Sequence, residues 1–250
     1  MITKNSISLI FSLLTSCNFS RQPYPEASLP DPNKPDTSKS VISTSFAGKT
    51  FPIIFEAAFI NGTQVRQRNN SYRFFKYDLG KIRIETGKII ACDPIVMHDA
   101  SAFSQDFPVG EFPVSLALAK SHNDMRVAFS RITFSDSPIT KWEFALRQGQ
   151  KQISLTDTTI YCYGVDAGMG IFIDSISNKV FNQKGDMAWD YVFLTKAKEN
   201  ENLGYTYEFN GHNLATFSTG FGDGCYATYI GLDKQGKICK LLTDFQVVEW

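Results

Sequence analysis

The sequence predicts a mainly β domain with one or two helices, an α+β protein built as a single antiparallel, sheet-rich sandwich or barrel-like unit. Two observations lead to this prediction. Short runs of β-branched and aromatic residues, separated by turn-forming residues, recur along most of the chain. A helical pattern is rare. The clearest one runs from Asp186, as its N-cap, to Lys198, with Met187, Tyr191 and Leu194 along one face.

The strands are predicted from apolar runs bounded by glycine, proline, asparagine or aspartate. In one of them, Phe112 to Ala119, larger residues alternate with smaller ones, as expected for a strand with two different faces. Asp233 to Gly236 is a turn that joins the last two strands into a hairpin. A second helical turn is predicted from Trp142 to Leu146, with Trp142 as a core anchor. The predicted strands are Phe51–Phe59, Tyr72–Tyr77, Ile82–Glu85, Lys88–Asp93, Phe112–Ala119, Arg126–Phe134, Thr159–Val165, Gly170–Ile173, Leu214–Ser218, Tyr226–Leu232 and Ile238–Val248.

Residues 1–16 have the pattern of a secretory signal peptide. Lys4 supplies the charge, a short apolar run from Ser6 to Leu14 follows, and small residues come next. This run is too short to span a bilayer. Leu14-Thr15-Ser16-Cys17 resembles the lipobox of bacterial lipoproteins, which implies that Cys17 is the lipidated first residue of the mature chain. The alternative is an ordinary cleaved signal followed by an incidental cysteine.

The lipobox resemblance also implies a location in the bacterial cell envelope, with the membrane as a partner through the lipid anchor. Asn18 stands where, in lipoproteins of enteric type, an aspartate favours retention in the inner membrane, so the outer membrane is favoured. Residues 17–45 are predicted to be the lipidated N-terminus and a disordered linker, because half of the chain's 10 prolines lie there among polar residues. Residues 46–250 are one domain by length, facing periplasm or exterior.

Charge and cysteine content limit the class of protein. The 25 basic and 25 acidic residues form no basic stripe, which argues against nucleic acid as a partner. In an oxidising compartment the four remaining cysteines could form up to two disulfides in three connectivities. Their apolar surroundings fit reduced core cysteines equally well. No Cys-x-x-Cys spacing supports a zinc site. These cysteines are Cys92, Cys162, Cys225 and Cys239.

The stretch from Gly211 to Gly231 lies in the densest glycine cluster, since seven of the 17 glycines fall between residues 204 and 236. It is predicted to be strand, tight turn and strand around Gly220-Phe221-Gly222-Asp223-Gly224. A dinucleotide-binding loop is excluded because a strand follows the glycines and Asp223 would repel a phosphate. The nearby aromatic residues are predicted to be core, with Phe221 at the turn tip as the exception.

Four motifs precede this stretch in order: Cys92-Asp93-Pro94, Val-Gly-Glu-Phe-Pro-Val from residue 109, Trp142-Glu143-Phe144-Ala145, and Tyr-Gly-Val-Asp-Ala-Gly from residue 163. Together with the glycine-rich stretch, this succession resembles the bacterial domain-of-unknown-function family forty-two forty-one, from about residue 87 to residue 245. The family commonly reads Ser-Gly-Trp-Gly-Asp-Gly where this chain has Thr-Gly-Phe-Gly-Asp-Gly from residue 219. The resemblance implies a fold and the location of a site, but no chemistry, because the family has no agreed activity.

Five residues at strand ends or turns are the candidate ligand-binding residues: Asp93, Asp166, Asp174, Asn213 and Asp223. Their oxygens could hold Ca²⁺ or grip sugar hydroxyls. Asp166 and Asp223 are also candidate catalytic residues, as the acid and base of a hydrolase. The alternative is turn chemistry, in which an aspartate before glycine or proline accepts a backbone N–H two residues on. The histidines lack metal-ligand spacing, and His212 is predicted to have a structural or rim role.

Three functional hypotheses follow. The leading one is a lipid-anchored, non-enzymatic binding or interaction domain whose ligand is a protein or a small molecule. The second is a hydrolase acting on an extracellular polar substrate such as a carbohydrate through Asp166 and Asp223. The third is an immunity-type protein that neutralises a toxin by covering its surface. No cofactor is predicted apart from the Ca²⁺ considered above.

Overall fold

The computed structural model describes residues 41–43, 51–67, 70–200 and 203–250. The predicted signal peptide and Cys17 lie outside the described residues, as does the predicted linker except for Val41–Ser43. Those three residues form a short strand that pairs in parallel with Gln64–Gln67.

The described residues are mainly β, with few helices, which confirms the predicted fold class. The strands are β1 Val41–Ser43, β2 Gln64–Gln67, β3 Asn70–Ile84, β4 Ile89–Cys92, β5 Gly110–Ser121, β6 Asp124–Thr133, β7 Lys141–Phe144, β8 Cys162–Val165, β9 Met169–Asp174, β10 Gly204–Phe209, β11 His212–Ser218, β12 Gly224–Leu232 and β13 Ile238–Asp244. The helices are α1 Ile54–Ala57, a 3₁₀ turn Pro94–Val96, α2 Ser175–Asn182, α3 Asp186–Asp190, a π-helical turn Tyr191–Lys196 and α4 Ala197–Glu199.

The strands form two sheets. The larger, nine-stranded sheet has the order β1-β2-β3-β5-β6-β13-β12-β7, with β8 also paired to β12. The smaller sheet has the order β10-β11-β9-β4. After β3 the chain passes to the smaller sheet, where it forms β4 next to β9. It then returns to the larger sheet as β5, which pairs with β3. Apart from β1 with β2, the described pairs are antiparallel.

The smaller sheet is buried on both faces. On one face Phe172 and Phe217 join the main core that the larger sheet also lines. On the other face Ile173 and Leu214 pack with Phe181 of α2 and with the helical segment that begins at Asp186. This explains why β9 and β11 are almost continuously apolar instead of alternating. The domain is therefore layered as sheet, sheet and helices, and the smaller sheet is the central layer.

The prediction of a strand at Phe51–Phe59 is wrong, because this range contains helix α1. Ile54, Phe55 and Ala58 are buried at helical spacing, while Glu56 forms an ion pair with Arg131 at 3.2 Å. A short apolar run fits a buried strand and a buried helix equally well when its period is the only signal.

Other element predictions also need correction. The helical turn predicted at Trp142–Leu146 is wrong, since Lys141–Phe144 is strand β7. Trp142 is nevertheless a core residue, 2% exposed. The two strands predicted between Tyr72 and Glu85 are one strand, β3, with an irregularity at Asp78 to Gly80. The strands β2 and β10 and the helix α2 were not predicted.

The helical segment predicted from Asp186 is present, but Gly185 occupies the N-cap position and Asp186 lies in the first turn. The segment continues through a π-helical turn to Glu199. Among the described residues, no helix is long and apolar enough to cross a membrane.

One disulfide joins the strands β8 and β12. Cys162 and Cys225 are bonded, with their Cα atoms 5.4 Å apart. Cys92 and Cys239 are buried free thiols. Burial raises the pKa of the Cys92 thiol to about 12, so this group stays protonated at neutral pH. One pair of cysteines therefore forms a disulfide, and the other pair consists of reduced core cysteines. The sequence had left both states open.

Candidate functional site

Asp93 lies directly after β4 and is 2% exposed. Its Oδ1 accepts the backbone N–H of Ile95 at 2.7 Å and so caps the 3₁₀ turn. Its Oδ2 accepts the backbone N–H groups of Asp166 at 2.6 Å and Ala167 at 2.8 Å. Oδ1 therefore stabilises the turn that directly follows Asp93, and Oδ2 stabilises the turn between β8 and β9.

Asp174, at the end of β9, is fully buried and plays a similar part. Its Oδ1 caps α2 by accepting the N–H of Ile176 at 2.9 Å. Its Oδ2 accepts the backbone N–H groups of Glu85 at 3.0 Å and Thr86 at 2.9 Å. The carboxylate thus joins the chain after β3 to the start of α2.

Asn213 ties the two sheets together through its side-chain amide. Its Oδ1 accepts the N–H of Arg83 at 2.8 Å, and its Nδ2 donates to the carbonyl of Lys81 at 2.9 Å. The same Nδ2 also donates to Glu208 Oε1 at 2.8 Å. The side chain pairs with the backbone of β3 as a neighbouring strand would, which explains its burial to 2% exposure.

Asp166 and Asp223, the candidate catalytic residues, are exposed. Gly224 pairs with Val165 in the ladder of β12 and β8, so each aspartate is the next residue beyond this last pair. The turns that carry them also touch, since the N–H of Thr219 donates to the carbonyl of Gly168 at 3.2 Å. Within the described part of the chain, neither carboxylate forms a hydrogen bond or an ion pair.

Phe221 lies at the tip between these aspartates and is 61% exposed, as predicted for this one aromatic residue. The Arg126 guanidinium lies 4.5 Å from the centre of the Phe221 ring. Its Nη1 donates to the carbonyl of Gly220 at 3.2 Å. These contacts hold one side of the tip and leave much of the ring in solvent.

The glycine-rich turn is fixed by side-chain hydrogen bonds to its backbone. Thr219 Oγ1 and the Tyr226 hydroxyl both donate to the carbonyl of Gly222 at 2.8 Å. Gly220 has φ +52°, and a Cβ there would lie 2.8 Å from the carbonyl oxygen of Phe245, so the position requires glycine. Burial, and secondarily the negative charge of Asp223, raises the pKa of Tyr226, which keeps its hydroxyl protonated as a donor.

The structure does not bring the five candidate residues to one place. Asp93, Asp166 and Asp223 lie around the start of β9, whereas Asp174 ends this strand and Asn213 lies next to it in register. The six residues of β9 separate the two groups by about 17 Å. Among the described residues, no group of three or more His, Cys, Asp or Glu side chains could hold a metal ion. The Ca²⁺ hypothesis stays a prediction.

A second polar cluster was missed in the sequence. His212 Nδ1 lies 2.5 Å from Glu85 Oε1 and 3.4 Å from Ser177 Oγ, and the His212 side chain is 19% exposed. A catalytic triad places the serine and the acid on different ring nitrogens. Here both contact Nδ1, and Ser177 is fully buried. The cluster is therefore a structural link between the end of β3 and β11, at the rim predicted for His212.

A shallow hollow of about 240 Å³, its open mouth included, lies beside the disulfide. Most of this volume is open to solvent, and the enclosed part has room for no more than about one water molecule, far less than a small-molecule ligand needs. All of its lining residues belong to the described part of the chain, and Asp166 and Asp223 are not among them. They are Phe103, Ala145, Arg147, Gln150, Tyr161, Cys162, Tyr163, Tyr226 and Thr228.

Comparison with known proteins gives one match. The model of the family described as "Protein of unknown function (DUF4241)" matches residues 82–243. This range includes the five candidate residues, both turns and the disulfide. No curated protein and no solved structure matches the chain.

Proposed function

The chain belongs to the DUF4241 family of proteins of unknown function, and we propose that it is a lipid-anchored binding domain of the cell envelope. The proposed contact surface, the binding tip, consists of Asp166, Phe221 and Asp223. The observation that carries the proposal is how the five candidate residues are used. Asp93, Asp174 and Asn213 form hydrogen bonds within the fold through their side chains. The other two, Asp166 and Asp223, are exposed on adjoining turns beside the exposed ring of Phe221.

The chemistry of the tip suits recognition of another molecule. A large aromatic side chain contributes apolar contact area, and the flanking carboxylates supply acceptors that set orientation. The turns are fixed by Asp93, by Tyr226 and by the disulfide, so little conformational entropy is lost when a ligand binds. The proposed ligand is a protein, or a small molecule that presents donors to the two carboxylates.

The openness of the tip favours binding over hydrolysis. A Cβ placed on Gly164 or on Gly222 would meet nothing within 4 Å, so the space beside both turns is open. A hydrolase acting through two carboxylates holds its substrate in a cleft between them, because the scissile bond must lie within reach of both groups. The hydrolase and the immunity-type protein are therefore alternative outcomes of the experiment below.

The proposed location rests on the lipobox resemblance and is supported by the disulfide. Disulfides form and persist in oxidising compartments, which include the bacterial periplasm and cell surface. Membrane fractionation tests the anchor: we expect a Cys17→Ala variant to leave the membrane fraction. Retention of this variant in the membrane would remove the lipid anchor from the proposal.

The binding tip is tested by site-specific photo-crosslinking in cells. A photoreactive phenylalanine analogue replaces Phe221, and the matched control places it at Val109, which is exposed to a similar 66%. We expect an adduct from position 221 that disappears when Asp166→Asn and Asp223→Asn are added, and no such adduct from position 109. Equal labelling at both positions, or an adduct that ignores both carboxylates, would refute the proposed surface.

An assay of the same chain with chromogenic glycosides and esters separates the alternatives. Turnover that disappears in Asp166→Asn and in Asp223→Asn would establish the hydrolase. Identification of the adduct as a toxin that the chain inhibits would identify the immunity-type protein as the specific form of the binding function.

A further inference from the structure

The disulfide between Cys162 and Cys225 lies at the protein surface, where dissolved thiols can meet it. Cys225 is exposed and Cys162 is half-buried. A disulfide is cleaved when a thiolate reaches one of its two sulfurs, so the rate of the reaction depends on access. Exposed disulfides are the ones that exchange with thiols, and Cys225 is the more accessible residue of this pair.

The pairing of the two strands leaves a path to Cys225. In the ladder of β8 and β12, Cys225 lies opposite Gly164, and Cys162 lies two residues before this glycine. Residues two apart in a strand share a face, so Gly164 lacks its side chain on the face that carries the disulfide. Gly164 is exposed, and a Cβ placed on it would meet no other atom within 4 Å. A small thiol can therefore approach the bond beside Gly164.

The surroundings keep the two cysteines together when the bond is broken. β8 and β12 share four ladder pairs, and Tyr163 and Val165 anchor β8 in the core with exposures of 6% and 1%. Asp93 also holds the two backbone N–H groups that follow the strand. None of these contacts requires the disulfide, so the bond can open and close again without unfolding of the domain.

The two other cysteines of the described chain are shielded from this exchange. Cys92 and Cys239 are each 1% exposed. Burial also raises the pKa of the Cys92 thiol to about 12, so little of the reactive thiolate forms at neutral pH. The reaction is therefore confined to Cys162 and Cys225.

We propose that the Cys162–Cys225 bond is a redox-active disulfide that exchanges with low-molecular-weight thiols, with Cys225 as the residue that is attacked. The thiolate of the small thiol bonds to Cys225 Sγ, the bond between the two cysteines breaks, and Cys162 leaves as a thiolate that takes a proton from water. A second thiolate then attacks the small-thiol sulfur of this mixed disulfide and releases Cys225, which is protonated in turn. Two small thiols are oxidised to one disulfide, and the protein gains two thiols. The proposal is independent of the binding tip and of the lipid anchor.

Mass spectrometry of the folded full chain carrying Cys17→Ser tests the proposal. The protein reacts with β-mercaptoethanol, and an excess of N-ethylmaleimide stops the reaction at short times before peptide mapping. In chains that carry one β-mercaptoethanol group, we expect this group on Cys225 and N-ethylmaleimide on Cys162, with Cys92 and Cys239 unmodified. A bond that reacts only when urea unfolds the chain, or β-mercaptoethanol mainly on Cys162, would overturn the proposal.

Substitution of Gly164 tests the path to the bond. Gly164→Val fills the open space with a side chain that suits a strand, and it should slow reduction of the folded protein by at least about fivefold. Ser71→Val, at an exposed position of β3, is the matched control and should react at the wild-type rate. In urea the three proteins should react equally, because the shielding depends on the fold.

Gly164→Ala adds a single methyl group at the same position and should give an intermediate rate. It serves as the test variant if Gly164→Val does not fold, which thermal unfolding shows. Folded Gly164→Val or Gly164→Ala proteins that react as fast as the wild type and Ser71→Val would refute attack at Cys225 beside Gly164.

Discussion

Asp93 Oδ2 accepts the backbone N–H of Asp166 at 2.6 Å, so one buried carboxylate positions the turn that exposes another. Each of the two aspartates directly follows a four-residue strand, Asp93 after β4 and Asp166 after β8. Their surroundings give them opposite roles. Asp93 has both oxygens paired with backbone N–H groups, and Asp166 directs none of its side-chain oxygens to the described chain.

Replacement of Asp93 by alanine should destabilise the domain strongly. Three backbone N–H groups, those of Ile95, Asp166 and Ala167, would lose their acceptor. We expect a loss of about 3 kcal/mol in the free energy of unfolding, since each buried unpaired donor costs about 1–3 kcal/mol and water can partly replace the acceptor. Urea unfolding followed by circular dichroism measures it.

Asp157→Ala is the control for this substitution. Asp157 Oδ1 accepts the N–H of Thr159 at 3.0 Å in an exposed turn, so the same kind of hydrogen bond is lost in water. We expect a change of about 0.5 kcal/mol or less. Similar losses for Asp93→Ala and Asp157→Ala would contradict the structural role of Asp93.

Much of the fold could be predicted because its signals are local. The strand β5 and the turn at Asp233 to Gly236 are each indicated by neighbouring residues, and both are present, although residues 114–119 of β5 are buried without alternation. The exposed tip at Phe221 also follows from the glycines beside it. Pairing between distant strands was not predictable, since β3 and β5 meet only after the chain has passed through β4 in the other sheet.

The candidate site shows a different limit. An aspartate at a strand end has the same sequence pattern whether it binds a ligand or caps a turn. What separates the two cases is a distant backbone group, such as the N–H of Arg83 that Asn213 accepts from 130 residues away. Such partners depend on the assembled fold. The sequence therefore placed these five polar residues at strand ends and turns, but it did not show that three of them form hydrogen bonds within the fold.

Asp174→Asn should destabilise the domain although the side chain keeps its size. Each oxygen of Asp174 accepts backbone N–H groups, with Ile176 on Oδ1 and with Glu85 and Thr86 on Oδ2. An asparagine retains one acceptor, and its NH₂ group faces donors. We expect a loss of about 2 kcal/mol in unfolding free energy. Asp186→Asn, at an exposed position in the first turn of α3, should change it by less than about 0.5 kcal/mol. The reverse order of the two losses would disprove the role of Asp174.

Reduction of the Cys162–Cys225 disulfide should lower stability by about 2–4 kcal/mol, because the bond closes a loop between residues 63 positions apart. Thermal unfolding with and without dithiothreitol measures the effect. A Cys162→Ser, Cys225→Ser double variant should melt at the lower temperature in both conditions. If reductant lowers the melting temperature of this double variant as much as that of the wild type, the effect does not come from this disulfide.

Asp244, the last residue of β13, should make stability depend on pH in the direction opposite to that of an ion-paired aspartate. Burial raises the pKa of this carboxyl to about 6, while hydrogen bonds from Trp250 Nε1 and from the N–H of Gln246 act to lower it. The folded state therefore binds a proton more tightly than the unfolded state does. The stabilisation is complete below the unfolded pKa of about 4 and is lost as pH rises through about 6.

An Asp244→Asn variant lacks this titration, so its stability relative to the wild type should increase by up to about 3 kcal/mol between pH 4 and pH 7, the equivalent of a shift of about two pKa units. Urea unfolding of both proteins across this range measures the difference. Trp250→Phe removes one of the hydrogen bonds that lower the pKa, and it should move the titration to higher pH. A difference between wild type and Asp244→Asn that stays constant with pH would show that Asp244 has no raised pKa. In that case the hydrogen bonds from Trp250 and Gln246 would offset the cost of burying the charge.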